Sequence, residues 1–303
     1  MLDYLRPSPL NPSRLAGLIS DSMSARSAGT RVPIAILTDF GYRDHYAGVM
    51  KGVIASICPQ APIIDISHGI PPQHVAAGAL ALQESIQYFP RRTIFLAVVD
   101  PGVGSDRRAI AVETKSGPRL VGPDNGLLWP AAKRAEVKKI VELSSARHRL
   151  PKVSASFHGR DIFAPAAAWL WRGVSMNQLG AVLEGMIELD PAARVVQKQN
   201  KLAGEIVYVD GFGNLITNIG RATFDRFARS FPQCRLSVRV ERRASLPLRN
   251  TYAEAPEGAP LAIFGSFDLL EIAVRNGNAA MHFDVGLGVP VVIRAAAARS
   301  ASR

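Results

Sequence analysis

The chain is poor in cysteine. Its two cysteines, Cys58 and Cys234, stand 176 positions apart, with no further cysteine and no histidine at metal-ligand spacing beside them. That count excludes a disulfide framework and a zinc knuckle, and two buried thiols in a reducing cytoplasm are expected instead. Long apolar runs are missing as well. No stretch approaches the roughly 18–20 residues that cross a bilayer. The first 30 residues carry Arg6, Arg14 and Arg26 but no apolar block of a signal peptide, so a cytoplasmic protein is expected. Acidic residues are the minority among charges, 25 against 36 Lys and Arg, a formal charge of +11. Such an excess raises nucleic acid as a partner to be tested. What the chain does have is 48% apolar residues over 303 positions. At about 150 residues per domain, that is one large or two ordinary domains with a proper core.

Residues 1–31 are rich in Ser, Pro and Arg without periodicity and read as a disordered extension. From Pro33 the pattern becomes regular. Apolar strands at Pro33–Thr38, Ile63–Ile66 and Thr93–Val99 alternate with helical stretches, one after Asp44 as N-cap and one from Val75 to Tyr88. This order predicts an α/β domain over 32–195 with a mainly parallel sheet covered on both faces. A further helix is expected over Ala164–Arg172, with Pro165 in its first turn. After the polar stretch Arg194–Lys201 the texture changes to strands: a pair across Leu202–Ile219, a strictly alternating run Arg235–Glu241, and a last strand Val289–Ile293. A second, β-rich domain is placed at 200–295, followed by a tail at 296–303.

Ligands of open parallel sheets sit beyond the carboxyl ends of the strands. Asp39, Asp65 and Asp100 fall at such ends. Asp100 opens the loop Pro101-Gly102-Val103-Gly104-Ser105-Asp106-Arg107-Arg108. Arg107 stands where a dinucleotide fingerprint needs its third glycine, and no Gly-Lys-Ser/Thr of a P-loop follows. Further on, His158 lies beside Gly159 just before an apolar helix, and a histidine titrates near neutral pH. Asp210-Gly211-Phe212-Gly213-Asn214 reads as a hairpin turn, and Gly265-Ser266-Phe267-Asp268 as a turn with a helix cap at Ser266.

Five segments taken together carry more than each alone: Thr38-Asp39-Phe40-Gly41, Val99-Asp100-Pro101-Gly102-Val103-Gly104, Gly122-Pro123-Asp124-Asn125-Gly126-Leu127, Phe157-His158-Gly159-Arg160-Asp161 and Asp210-Gly211-Phe212-Gly213-Asn214. In this order the chain resembles the S-adenosyl-L-methionine (SAM) hydroxide adenosyltransferases, relatives of the fluorinating and chlorinating SAM enzymes, over residues 33–294. The resemblance implies a β-barrel-like second domain and hydrolysis of SAM to adenosine and L-methionine. It also implies a homotrimer whose sites lie between the α/β domain of one subunit and the barrel of the next. Asp100, Arg107 and His158 match the family's water-activating set. Asp39 matches the carboxylate that holds the ribose hydroxyls, and Asp210 the group that meets the methionine ammonium. Phe212 and Asn214 match adenosyl contacts, and Ser266 a contact of the methionine carboxylate. No cofactor and no metal are implied. The halogenating relatives carry Tyr in place of Asp100 and of His158, and the fluorinating ones also carry Ser in place of Gly159 and an extra loop that the segment from Arg91 to Pro123 is too compact to hold. Water is therefore the expected nucleophile.

Three other readings compete. A metal-dependent hydrolase would use Asp39, Asp65, His68, Asp100 and His158 as ligands. A nucleic-acid-binding protein would use the block 133–152, where seven bases (Lys133, Arg134, Lys138, Lys139, Arg147, Arg149, Lys152) outweigh Glu136 and Glu142, although a solvated helix face is the more usual origin of such a run. A SAM sensor without turnover would have no need of Asp100, Arg107 and His158 together.

Overall fold

Ile34–Thr38 (β1) is five consecutive buried residues, and its alternation decides the layout of the first domain. Ile34 and Ile36 pack into one core with the helices Tyr46–Ile57 (α1) and Ala164–Trp171 (α4), while Ala35 and Leu37 face a second core with Val75–Ser85 (α2) and Trp129–Arg134 (α3). Successive side chains of a strand point to opposite faces, so one apolar run feeds both layers. The remaining strands are Ile63–Ser67 (β2), Ile94–Val98 (β3), Ala109–Thr114 (β4), Arg119–Pro123 (β5), Val137–Glu142 (β6) and Val182–Leu183 (β7), in the order β2-β1-β3-β5-β4-β6-β7. β2, β1, β3 and β5 pair in parallel; β4 runs against β5 and β6, and β7 against β6. Five of the seven strands therefore point one way. The computed structural model describes residues 32–189, 195–241 and 245–297. The extension expected at 1–31 lies outside them, as do residues 190–194, 242–244 and 298–303.

Several local expectations give way to tertiary context. α1 starts at Tyr46 behind His45, and no side chain caps it, so Asp44 is not the N-cap. The helix from Val75 ends at Ser85 and is followed by a 3₁₀ turn, Ile86–Tyr88. β2 is an edge strand with Ile64 exposed, so cover on both faces fails there. Pro165 does occupy the first turn of α4. The block 133–152 is no helix face. Its bases spread over the end of α3, β6 and a 3₁₀ turn, where Arg134 pairs with Glu84 and Lys138 with Glu113.

The second domain is one antiparallel sheet. Lys201–Val209 (β9), Leu215–Gly220 (β10), Cys234–Val240 (β11), Pro260–Phe264 (β12), Leu269–Val274 (β13) and Pro290–Ala297 (β14) lie in the order β11-β14-β9-β10-β13-β12. Bridges from Val238 to Leu246 and from Leu248 to Ala262 link the two edges through the segment 245–249, which nearly closes the sheet into a barrel. Leu202, Ile206, Leu215, Val238, Ile272 and Ile293 fill it, with Phe227 of the helix Arg221–Arg229. The polar stretch before Leu202 is not a plain connector, because Val196–Lys198 (β8) pairs with the start of β9. Both cysteines are free; Cys58 is buried, whereas Cys234 on β11 is only half-buried.

Candidate active site

Asp100 is separated from the end of β3 by Val99, and the glycine loop after it returns Arg107 to its side. Arg107 Nε donates to Asp100 Oδ1 at 2.8 Å and Nη2 to Oδ2. The side chains are 6% and 9% exposed, so the fork is made away from water, where such charge-assisted pairs are strongest. The same Nη2 reaches Nδ1 of His158 at 2.7 Å, and the guanidinium lies over the Phe163 ring at 5.2 Å. His158 sits at the mouth of a π-helical turn, Gly159–Phe163, that runs into α4. Such wide turns recur at functional sites because they re-aim one side chain without ending the helix.

Two close approaches set this juxtaposition. Gly104 has φ +81°, and a Cβ there would lie 2.4 Å from the carbonyl oxygen of Ala155, so only glycine lets the 100–107 loop touch the 154–158 loop. A Cβ on Gly159 would press on Met50 Sδ and the Phe157 ring at 3.1 and 3.2 Å. Asp161, fully buried, holds the second loop from below. Its carboxylate accepts from Arg160 and from the Ser154 N–H at 2.8 Å. Burial alone would raise its pKa, but these donors hold it below the usual carboxylate value.

His158 is shifted down from its ordinary value, first by burial and then by the Arg107 charge. It is therefore neutral at physiological pH, and arginine can only donate. Nδ1 must accept from Arg107, which leaves the ring proton on Nε2. Asp39 shares a cleft of about 600 Å³ with Asp100 and His158, walled by Phe40, Tyr46 and Phe157. Its Oδ2 accepts the Gln73 N–H at 2.7 Å. Burial, with help from the Asp100 charge, pushes its pKa up. The proposed metal set does not form. Asp65 is paired with Lys51 at 2.7 Å, and the fully buried His68 shares a 2.7 Å hydrogen bond with Thr38 Oγ1. Among the described residues no three His, Cys, Asp or Glu side chains are grouped to hold a metal ion.

The other four candidates line a different cavity, of about 830 Å³, between the barrel and the α/β domain of the same chain. Asp210 caps its own β9–β10 turn, accepting from the N–H groups of Phe212 and Asn214 at 2.9 Å and from Asn214 Nδ2 at 3.0 Å. Phe212 is 79% exposed. Ser266 lies in the hairpin turn between β12 and β13, closed by Asp268 N–H to the Gly265 carbonyl, and caps no helix. The structure thus brings Asp39, Asp100, Arg107 and His158 together and holds Asp210, Phe212, Asn214 and Ser266 apart from them. It also shows groups that sequence reasoning passed over. Glu271, buried in the second cavity, accepts a 2.5 Å hydrogen bond from the Tyr252 hydroxyl. Its only sequence signal is a lone acid within an apolar strand.

Comparison with known proteins places the chain in a family. Residues 34–180 match the family model of the SAM hydroxide adenosyltransferase N-terminal domain, and residues 204–292 that of the C-terminal domain. The chain is 38% identical over 268 residues to an (R)-S-adenosyl-L-methionine hydrolase of Thermus thermophilus, covering 86% of this chain and 98% of the other. It is 26% identical over 293 residues to a fluorinase of Nocardia brasiliensis, covering 88% and 98%. An uncharacterized conserved protein of Thermotoga maritima, known from its crystal structure, superimposes with a TM-score of 0.79 at 37% identity, covering 86% of this chain and 99% of that one. The chain belongs to the SAM hydroxide adenosyltransferase family.

Proposed function

We propose that this member of the SAM hydroxide adenosyltransferase family hydrolyses SAM to adenosine and L-methionine, with water attacking C5′ of the adenosyl group. The hydrogen-bonded Asp100–Arg107–His158 set beside Asp39 carries the reading. A sulfonium leaves as a neutral thioether, so the leaving group needs no acid; the difficulty lies in the nucleophile. His158 offers its Nε2–H to the oxygen of that water. Asp100, whose two oxygens each keep a lone pair beyond the Arg107 fork, takes the proton. The O–C5′ bond forms, the C5′–S pair leaves with sulfur, and the proton rests on Asp100. Arg107 stabilises hydroxide character as it develops. Positioning of this kind supplies on the order of 7–11 kcal/mol in the most favourable intramolecular models.

Asp39 accepts hydrogen bonds from the ribose hydroxyls. Asp210 meets the methionine ammonium, Phe212 and Asn214 the adenosyl group, and Ser266 the methionine carboxylate. The division of these residues between two clefts supports a homotrimer in which each site is closed by a neighbour's barrel. An aromatic ring as exposed as Phe212 has reason to be so if a second subunit covers it. The relatives' names specify the (R)-sulfonium epimer, and we assign the same epimer here. The reaction takes no metal or cofactor, since the electrophile is already cationic, and a charged Asp100 disfavours a halide at the attacking position. The two free thiols fit a cytoplasmic setting. The bases of 133–152 are spread over several elements and partly paired, which favours a small-molecule substrate over nucleic acid.

Chromatography of products from each SAM epimer, in chelated buffer with and without chloride or fluoride, tests this. Adenosine and methionine from the (R) epimer are expected under all conditions. A halogenated nucleoside as the main product, or turnover that returns only on adding metal, overturns it.

A further inference from the structure

We infer that Asp124 and Asn125 are positioning residues that set the Asp100–Arg107 pair for reaction, by clamping the backbone on both flanks of it. They leave β5, the parallel neighbour of β3, at the level where β3 ends. Asn125 Nδ2 donates to the Val99 carbonyl at 2.9 Å, and its Oδ1 accepts the Leu127 N–H at 3.1 Å, which fixes the orientation of the amide. Val99 is the residue immediately before Asp100. On the other flank, the Asp124 N–H donates to the Arg108 carbonyl at 2.9 Å. The Asp124 carboxylate is 1% exposed; it accepts Arg108 Nε at 2.8 Å on one oxygen and the Ile187 N–H at 2.7 Å on the other. Arg108 is the residue immediately after Arg107.

Neither side chain lines the cleft that holds Asp39 and His158, so both act through the groups they hold. The loop between Asp100 and Arg107 runs along the surface and contains two glycines. Hydrogen bonds inside the loop, such as the Arg107 N–H to Ser105 Oγ, shape it, but the anchors at its two ends tie it to the segment after β5 and so set where the carboxylate and the guanidinium that holds the His158 ring stand. A buried carboxylate is retained only where its partners compensate its desolvation. Here those partners are the Arg108 guanidinium and the Ile187 N–H, and Arg108 is the residue that follows Arg107. Misplacement by about 1 Å is enough to lower turnover about 100-fold, so a clamp of this kind registers in kcat before it registers in binding.

The inference rests on the hydrolytic reading only for its kinetic arm. The test compares wild type with Asn125→Ala, Asn125→Asp and Asp124→Asn, following kcat and KM for SAM, thermal unfolding, and the protonation of His158 by NMR of 15N-histidine-labelled protein. Asn125→Asp keeps the acceptor for Leu127 and loses the donor to Val99; Asn125→Ala loses both and introduces no charge, so it decides the matter if the Asp variant fails to fold. The expected result is a fall in kcat of about 100-fold with KM changed by less than about twofold. His158 should titrate closer to its ordinary ~6.5, because Arg107 is no longer held against it. A kcat within about threefold of wild type overturns the inference. So does a loss of kcat that merely follows the loss of folded protein while His158 titrates as before. If wild type turns over no SAM, the hydrolytic reading falls by itself, and the His158 titration, which needs no substrate, still decides the clamp.

Discussion

Asp39 is stabilised poorly where it stands, and that is informative about its use. Burial raises its pKa and Asp100 adds to the effect, outweighing the Gln73 N–H and its own backbone N–H. A raised folded pKa means that the native state binds the proton more tightly than the unfolded chain. The contribution to stability is present below the unfolded value of ~3.9 and is lost as pH rises through the folded value. At neutral pH the carboxylate is thus a burden unless a ligand repays it. Asp39→Asn is expected to raise Tm by a few degrees, on the scale of ~2–4 °C per kcal/mol, while SAM affinity falls at least tenfold. A melt and a binding titration check this, and an unchanged affinity removes Asp39 from the site. His158 has the opposite sign. Its depressed pKa keeps it neutral to below the usual ~6.5, so the kcat–pH profile should stay flat through that region and fall only at lower pH. An inflection at or above ~6.5 would contradict the neutral Nε2–H donor.

At the scale of elements, the 100–107 loop and the π-helical turn do what neither could alone. Gly104→Ala places a side chain on a left-handed φ, at about 1–2 kcal/mol, and against the Ala155 carbonyl. The loops should separate, the Arg107–His158 contact should break, and kcat should fall more than the melting temperature can explain. A variant with wild-type kcat would show that the two loops do not depend on that close approach. The same pair marks how far the sequence could be read. Asp39 and Asp100 were legible because a parallel strand announces its end by the close of an apolar run, and the chemistry of such sheets gathers there. His158 was not legible by pattern. Its partner lies 51 positions away, and a π-helical turn has no signature in apolar spacing. The motif shared with a family supplied it instead. β4, β5 and β6 escaped for a related reason. They are short, β4 and β5 are joined by a tight antiparallel turn, and a basic, mixed run such as Val137–Glu142 reads as easily as a helix face until β4 beside it fixes the pleat.

For the whole molecule the separation of eight candidate residues into two clefts is the fact with the largest consequence. Four gather beyond the ends of β1 and β3, with Arg107 backing Asp100 from outside the cleft wall, and four lie at the turns of the barrel; none of the lining residues is common to both cavities. Either one group is idle, or each site is completed by a second copy or by a movement within one subunit. Rings have heterologous interfaces, in which one patch of a subunit meets a different patch of the next. That geometry allows a complementation experiment. A chain carrying His158→Ala has a damaged α/β half and an intact barrel. A chain carrying Phe212→Ala and Ser266→Ala has the reverse, and both barrel positions sit in turns, Phe212 largely exposed, so neither substitution opens a core cavity. Each chain alone should be nearly inactive. Co-expressed in equal amounts and purified as mixed rings, they should recover activity at about one site in three, because every mixed trimer holds a single junction at which both halves come from the undamaged partner. Activity no greater than the sum of the two parents would mean that each chain builds its site alone. The barrel residues would then have to reach Asp100 by a movement within one subunit.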